Sequence, residues 1–224
     1  MKVLVIAAHP DDEALGCGGT LAKHVAAGDE VNALFMSDGV TSRNKITHLE
    51  EGMSRRQDAA YRAAGVLGIR NLNFGDFPDN QMDTIPILDA ARLVEGALTE
   101  FNPTMIYTHH AGDLNVDHRL THAAVMTACR PQPGCKVQTI LTFEVPSSTE
   151  WNTPPGGVPF APNWFVDISR TLSMKLAALN EYSEEMRSWP HPRSLDAINH
   201  LARWRGATVG FEAAEAFVLS RHIA

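Results

Sequence analysis

The sequence lacks the features that mark several protein classes. It has three cysteines among 224 residues, Cys17, Cys129 and Cys135, and their odd number and irregular spacing argue against a disulfide framework or a cysteine-based metal site. No window of about 18 apolar residues occurs, so no membrane-spanning helix is expected. The net charge of −7 argues against a nucleic-acid partner, because nucleic-acid-binding proteins usually carry a basic surface.

The beginning of the chain also lacks a targeting signal. It leads directly into an apolar strand pattern, without a cationic region or a small-residue cleavage site, so we expect a cytoplasmic protein. Nothing in the sequence decides between a monomer and a homo-oligomer. No repeat or low-complexity segment is visible.

The chain is long enough, and at 44% apolar residues hydrophobic enough, for one α/β domain over residues 1–224. Alternating strand and helix patterns predict a single-domain Rossmann-like fold, with a mostly parallel sheet and helices on both faces. The predicted strands are 2–8, 31–37, 72–74, 105–108, 137–143 and an edge strand at 164–167. The predicted helices are 14–27, 54–67, 86–101, 118–129, 169–187 with a serine N-cap, and 195–205. Residues 40–53 and 146–163 are predicted loops, and 214–220 fit either a helix or a strand.

The stretch His9-Pro10-Asp11-Asp12-Glu13 follows the first predicted strand. Open α/β sheets bind their ligands at the carboxyl ends of the strands. Imidazole and carboxylate are ordinary zinc ligands, so His9 and Asp12 can converge on one cation, which leaves Asp11 beside it as a base. A simpler interpretation is a polar turn with Asp11 or Asp12 as a helix N-cap.

A second polar cluster, residues 108–119, follows the strand at 105–108. Both clusters should open on the same edge of a doubly wound sheet, so a third ligand from the second cluster would complete a catalytic zinc site. Such sites keep an open position for water and lower its pKa to about 7. The alternative is a histidine-rich solvent loop without a shared ligand.

The motif Ala8-His9-Pro10-Asp11-Asp12-Glu13, followed by Gly16 and Gly18-Gly19, resembles the signature of the LmbE-like, or PIG-L, family of metal-dependent N-deacetylases. Three weaker likenesses extend over most of the chain: Arg55-Arg56-Gln57-Asp58, Asn115-Val116-Asp117-His118 and Ala214-Glu215-Ala216-Phe217. The resemblance implies hydrolysis of an N-acetyl or other small N-acyl group on an amino sugar or its conjugate. A non-sugar amide, or a sugar- or nucleotide-binding module without turnover, is the alternative.

The resemblance also implies roles for individual residues. His9, Asp12 and His118 would hold the metal, which is zinc or alternatively Fe²⁺, and Asp11 would be the general base. Asp117 would orient a neighbouring imidazole.

The second motif of the family usually begins with a histidine that stabilises the oxyanion, and here that position is Asn115. Asn115 can donate a hydrogen bond or only shape the loop. His109 or His110 can supply the donor instead, and we favour this pair, with His110 ahead, because a cationic imidazole is the stronger donor. His109 is also a candidate substrate contact.

Arginines are the remaining candidates for contact with the substrate. Arg55 and Arg56 at a helix start can bind a sugar hydroxyl or a phosphate, or be solvated surface. Arg193 lies in a proline-rich loop that can face the site. For Asp79 and Asn80 we favour a turn over a sugar contact.

Overall fold

The computed structural model describes residues 1–37, 39, 49–153 and 157–224, except for the side chains of 49–51. The strands are β1 (Lys2–Ala7), β2 (Glu30–Ser37), β3 (Asn71–Phe77), β4 (Met105–His109), β5 (Thr139–Phe143), β6 (Trp164–Asp167) and β7 (Ala214–His222). The helices are α1 (Asp12–Ala26), α2 (Leu49–Leu67), α3 (Ile87–Phe101), α4 (Val116–Ala128), α5 (Leu172–Glu181) and α6 (Leu195–Ala207). Short 3₁₀ turns span Met82–Thr84 and Thr149–Trp151.

The seven strands form one sheet in the order β3-β2-β1-β4-β5-β7-β6. The first five of these are mutually parallel, and β7 runs antiparallel between β5 and β6. Strand β1 therefore lies at the point where the order reverses, with β4 as its neighbour and Val5 opposite Tyr107. This is the position at which doubly wound sheets form their ligand crevice.

The core lies on both faces of the sheet, which explains why β1 is a continuous apolar run. Val3, Val5 and Ala7 pack on one face, in a cluster that includes residues of α1, α2 and α5. Leu4 and Ile6 pack on the opposite face, in a cluster with residues of α3 and α4. The expected mostly parallel sheet with helices on both faces is confirmed. None of the helices in the described part of the chain is long and apolar enough to cross a bilayer.

Helix α1 is kinked at Cys17, whose φ and ψ are −146° and 16°. A buried ion pair bonds the backbone groups around the kink. The ammonium of Lys175 donates to the carbonyl of Leu15 at 2.8 Å and to the Glu215 carboxylate at 2.6 Å. The same carboxylate accepts the N–H groups of Gly19 and Thr20, at 3.0 and 2.7 Å. Two distant elements, α5 and β7, therefore set the direction of the helix that begins at Asp12.

Several predicted boundaries were wrong. Helix α2 begins at Leu49, inside the predicted loop 40–53, and β3 continues to Phe77. Helix α5 begins later than predicted, because the hydroxyl of Ser169 bonds the Asp167 carboxylate at 2.6 Å instead of capping a helix, and it ends earlier, at Glu181. Residues 214–220 belong to a strand. The rest of the predicted loop 40–53, and residues 154–156 of the loop 146–163, lie outside the described residues.

Candidate metal centre and active site

The turn between β1 and α1 carries the first cluster. The φ of Asp11 is 122°, a conformation that is costly for any residue other than glycine and that occurs mainly at functional sites. Its N–H donates to Glu13 at 3.0 Å, and the other carboxylate oxygen of Glu13 accepts the Tyr182 hydroxyl at 2.7 Å. Burial raises the pKa of Glu13 to about 7, against the lowering effect of that hydroxyl. These contacts hold the strained turn in place.

His9, Asp12 and His118 come together at the carboxyl ends of β1 and β4. Asp12 Oδ2 lies 3.3 Å from His9 Nδ1 and 3.4 Å from His118 Nε2, and all three residues are buried. Asp12 Oδ1 and His118 Nε2 have no hydrogen-bond partner among the described residues. Orphaned buried polar atoms are costly, and nitrogen and carboxylate donors at this spacing fit zinc. The geometry therefore suits a divalent cation.

The opposite side of the His9 ring faces two more carboxylates. Its Nε2 lies 2.9 Å from Asp117 Oδ2 and 3.0 Å from Asp79 Oδ1. Asp117 also accepts the backbone N–H groups of Asn80 and Met82, at 2.6 and 3.0 Å, which fixes its position. His9, Asp79 and Asp117 form a second group close enough to hold a cation. Asp79 therefore contacts the site, although the sequence favoured a simple turn.

The charges of this cluster shift its pKa values strongly. Burial alone would lower the pKa of His118, but the charge of Asp12 and the hydrogen bond to Asp113 outweigh burial and raise it to about 9. Burial would likewise raise the pKa of Asp12, yet the neighbouring His118 and His109 hold it well below its usual range. The carboxylates of the cluster thus stabilise positive charge. A metal ion can supply that charge in place of protons on the histidines.

Asp113, which the sequence did not single out, positions His118. Its carboxylate lies 3.1 Å from His118 Nδ1 and accepts the N–H of Asn115 at 2.8 Å. The Thr149 hydroxyl donates to it at 2.5 Å, and that of Ser148 donates as well. The sequence marked Asp113 only as one residue of the second polar cluster. No pattern marked Ser148 or Thr149, whose hydroxyls bond it.

Two arginines hold one oxygen of Asp11. Arg193 Nη1 donates to Asp11 Oδ2 at 2.9 Å, and Arg56 Nη2 lies 3.4 Å from the same atom. Arg56 also pairs with Glu185. Burial raises the pKa of Asp11 to about 6, and the two arginines oppose that rise. Asp11 Oδ1 is buried and has no partner in the described part of the chain. Arg55, by contrast, is 60% exposed and lies 3.6 Å from Glu184.

The three candidate oxyanion donors each make another contact. His109 is fully buried, its Nε2 accepts the Ala8 N–H at 2.8 Å, and burial lowers its pKa well below the usual range. The Nε2 of His110 donates to the Val158 carbonyl at 2.9 Å. Asn115 caps α4, accepting the Asp117 N–H at 2.8 Å. Its amide also donates to Asn80 at 2.9 Å.

Comparison with known proteins connects this site to a family. The sequence model described as PIG-L, GlcNAc-PI de-N-acetylase, matches residues 4–129. A protein of Escherichia coli K12 named as the uncharacterized deacetylase YaiS is 30% identical over 186 residues, 80% of this chain and 89% of its own. The chain belongs to the PIG-L family. It is therefore an amide hydrolase of a family whose named members are deacetylases.

Two further proteins are similar to this chain, one in sequence and one in structure. The PIG-L relative named diacetylchitobiose deacetylase, from Thermococcus kodakarensis, is 27% identical over 202 residues, 82% of this chain and 70% of its own. The crystal structure of GalB, the 4-carboxy-2-hydroxymuconate hydratase of Pseudomonas putida KT2440, superposes with a TM-score of 0.78 at 20% identity, covering 100% of this chain and 98% of that chain. The second likeness shows a shared fold alone.

Proposed function

We propose that this PIG-L protein is a zinc-dependent hydrolase that removes an N-acetyl, or another small N-acyl, group from an amino sugar or its conjugate. One observation carries the proposal: His9, Asp12 and His118 converge beside an Asp11 carboxylate that has one buried oxygen free of described partners. The relative named for diacetylchitobiose supports an amino-sugar substrate.

His9, Asp12 and His118 would hold the cation. When bound, a divalent metal polarises a substrate carbonyl and lowers the pKa of water. Asp117 keeps the His9 ring in one orientation from its Nε2 side, and Asp113 does the same for His118 from its Nδ1 side. Carboxylates that bond the far nitrogen of a ligand histidine usually raise its basicity and fix its tautomer. Zinc is the proposed metal, and Fe²⁺ is the alternative.

Asp11 is the proposed general base. Its Oδ1 would take a proton from the attacking water and return it to the leaving nitrogen. Arg56 and Arg193 keep Oδ2 occupied, so that Oδ1 is the oxygen left for this transfer. We therefore propose that the main role of these arginines is to hold the Asp11 carboxylate in position. Sugar contact stays a prediction for them and for Arg55, whose exposed side chain is the most accessible of the three.

His110 remains the proposed oxyanion donor. Burial keeps His109 neutral, which removes the advantage of a cationic imidazole at that position. The amide of Asn115 is engaged by Asn80, and its carbonyl oxygen caps α4. To reach an oxyanion, His110 would exchange its bond to a backbone carbonyl for one to the substrate. Variants His110→Ala and Asn115→Ala at equal metal content test the choice: a large loss of turnover in the asparagine variant alone would refute it.

The central experiment contrasts the two neighbouring aspartates. Asp11→Asn should retain about one metal equivalent and lose turnover by a hundredfold or more, the usual scale for a general base. Asp12→Asn should lose the metal instead. Elemental analysis identifies the cation and measures its amount in both variants and in the parent protein. Equal metal loss in the two variants, or parent activity that strong chelators leave unchanged, would contradict the proposal.

The substrate class is tested by screening N-acetyl sugars and non-sugar amides for released acetate and free amine. Release from amino-sugar glycosides is the expected result. Turnover of simple amides alone would favour a non-sugar amidase, and binding of sugars without turnover would favour a binding module. The cytoplasmic location and the assembly state stay predictions.

A further inference from the structure

Trp151 is half exposed at the end of a hydrogen-bonded turn. The residue is 48% exposed, although hydrogen bonds anchor the turn Thr149–Trp151 that carries it. Thr149 bonds Asp113, and the Glu150 carboxylate accepts the N–H groups of residues 147 and 148 at 2.6 and 3.2 Å. The turn that presents this large apolar ring at the surface is thus held by polar contacts.

The position of this ring is as informative as its exposure. Trp151 meets the His191 ring edge to face, with centroids 5.9 Å apart. His191 in turn accepts the backbone N–H of Arg193 at 3.0 Å, and Arg193 bonds Asp11. On its other side, the turn of Trp151 bonds the Asp113 carboxylate that orients His118. The indole therefore contacts the loop that supports the candidate base, and its turn bonds the loop that supports a candidate metal ligand.

Other exposed tryptophans lack this placement. Trp204, on α6, is 66% exposed, and Trp189, at 59% exposure, meets His200. Trp151 is flanked along the chain by two polar residues, Glu150 and Asn152. An exposed aromatic face with polar neighbours suits a ligand that is apolar on one side and rich in hydroxyls around its edge. A pyranose ring has this chemistry.

We propose that Trp151 is a stacking platform for the pyranose ring joined to the reacting amino sugar. This inference rests on the proposed function and refines it, because it makes the substrate a glycoside rather than a free monosaccharide. Thr149 in the turn bonds Asp113, which in turn contacts His118, so we assign the platform to the neighbouring ring and not to the ring that loses its acyl group. Trp151 then sets specificity without touching the reacting atoms.

The test compares Trp151→Ala, Trp151→Phe and the control Trp204→Ala on N,N′-diacetylchitobiose and on N-acetylglucosamine. Trp151→Ala should raise KM for the disaccharide about two- to tenfold with little change in kcat, because uniform binding is lost. The phenylalanine variant should recover most of the loss. KM for the monosaccharide, and both values in the control, should stay unchanged. An equal effect on both sugars, or none on the disaccharide, would overturn the proposal.

Binding is measured separately from turnover. Calorimetry with diacetylchitobiose on the Asp11→Asn protein, with and without Trp151→Ala, should show a matching two- to tenfold loss of affinity. This measurement holds even if the parent enzyme hydrolyses neither sugar, an outcome that would refute the proposed function alone. Absence of disaccharide binding, or binding that the alanine variant leaves unchanged, would refute the platform. Trp151→Leu, which keeps apolar bulk without an aromatic face, replaces the alanine variant if that variant does not fold.

Discussion

Substituting Asp113 by asparagine should weaken metal binding while leaving the fold intact. The carboxylate receives four donors, of which His118 Nδ1 at 3.1 Å is the one that matters for the metal. The amide oxygen of an asparagine can replace Oδ1 toward His118 and the N–H of Asn115. Its NH₂ group would then face the Thr149 hydroxyl, which can rotate to accept. The substitution therefore removes the charge and keeps the shape.

The expected magnitude follows from the role of the lost charge. Removing the partner of a ligand histidine typically costs 10- to 100-fold in metal affinity, or about 1.4 to 2.8 kcal/mol. We expect the upper part of this range, because Asp113 is fully buried and its charge is poorly screened. The direction of the effect follows as well: without the negative charge beside its Nδ1, His118 is a less basic ligand and binds the metal more weakly.

Competition between the protein and a zinc chelator at fixed pH measures this affinity directly. Asp89→Asn, at an exposed position on α3, is the matched control and should bind zinc like the parent protein. Circular dichroism confirms that each variant is folded. A folded Asp113→Asn protein with parental zinc affinity would refute the reasoning, as would an equal loss in the Asp89 variant.

Three further predictions concern ionisable groups. The pKa of Glu13 is about 7 and not its ordinary 4.5, so its contribution to the free energy of unfolding is complete below pH 4.5 and is lost as the pH rises through 7. Glu13→Gln should remove up to about 3 kcal/mol of this loss, measured by urea unfolding of the chelated protein at several pH values. Arg193→Gln removes a cation that lowers the pKa of Asp11, so the acidic limb of the pH–rate profile should move to higher pH. An unmoved limb would show that Asp11 is not the group that titrates in it. Lys175→Met should destabilise the protein by about 3 to 5 kcal/mol in urea, because Glu215 is left as an unpaired buried charge, and adding Glu215→Gln should restore part of the loss.

The central part of the fold could be predicted from local pattern. Strand β1 is apolar at every position because it is covered on both faces, and the polar stretch after it marks where the strand ends. The same reasoning for β4 placed the two clusters at one edge of a parallel sheet. This topology brings His9, Asp12 and His118 to one edge of the sheet, where the structure groups them.

The parts that escaped prediction depend on contacts between distant residues. Arg193 bonds Asp11 across 182 positions of sequence, and no periodicity connects them. Asp113 looked like one more polar residue of a loop, since its importance comes from hydroxyls 35 and 36 positions away. The end of α5 was predicted at residue 187 and lies at Glu181, and residues 214–220 were left open between helix and strand, because packing against other elements decides both.

The family match covers residues 4–129, and the candidate metal ligands all lie within that part of the chain. Much of what holds those ligands in place comes from beyond it: Thr149 supports Asp113, Arg193 holds Asp11 and Glu215 bonds the kinked helix that begins at Asp12. Exchange of C-terminal halves between relatives would therefore keep the candidate ligands and replace their supports. Such a chimera would assemble a working centre only if the incoming half brings equivalents of these three supporting side chains.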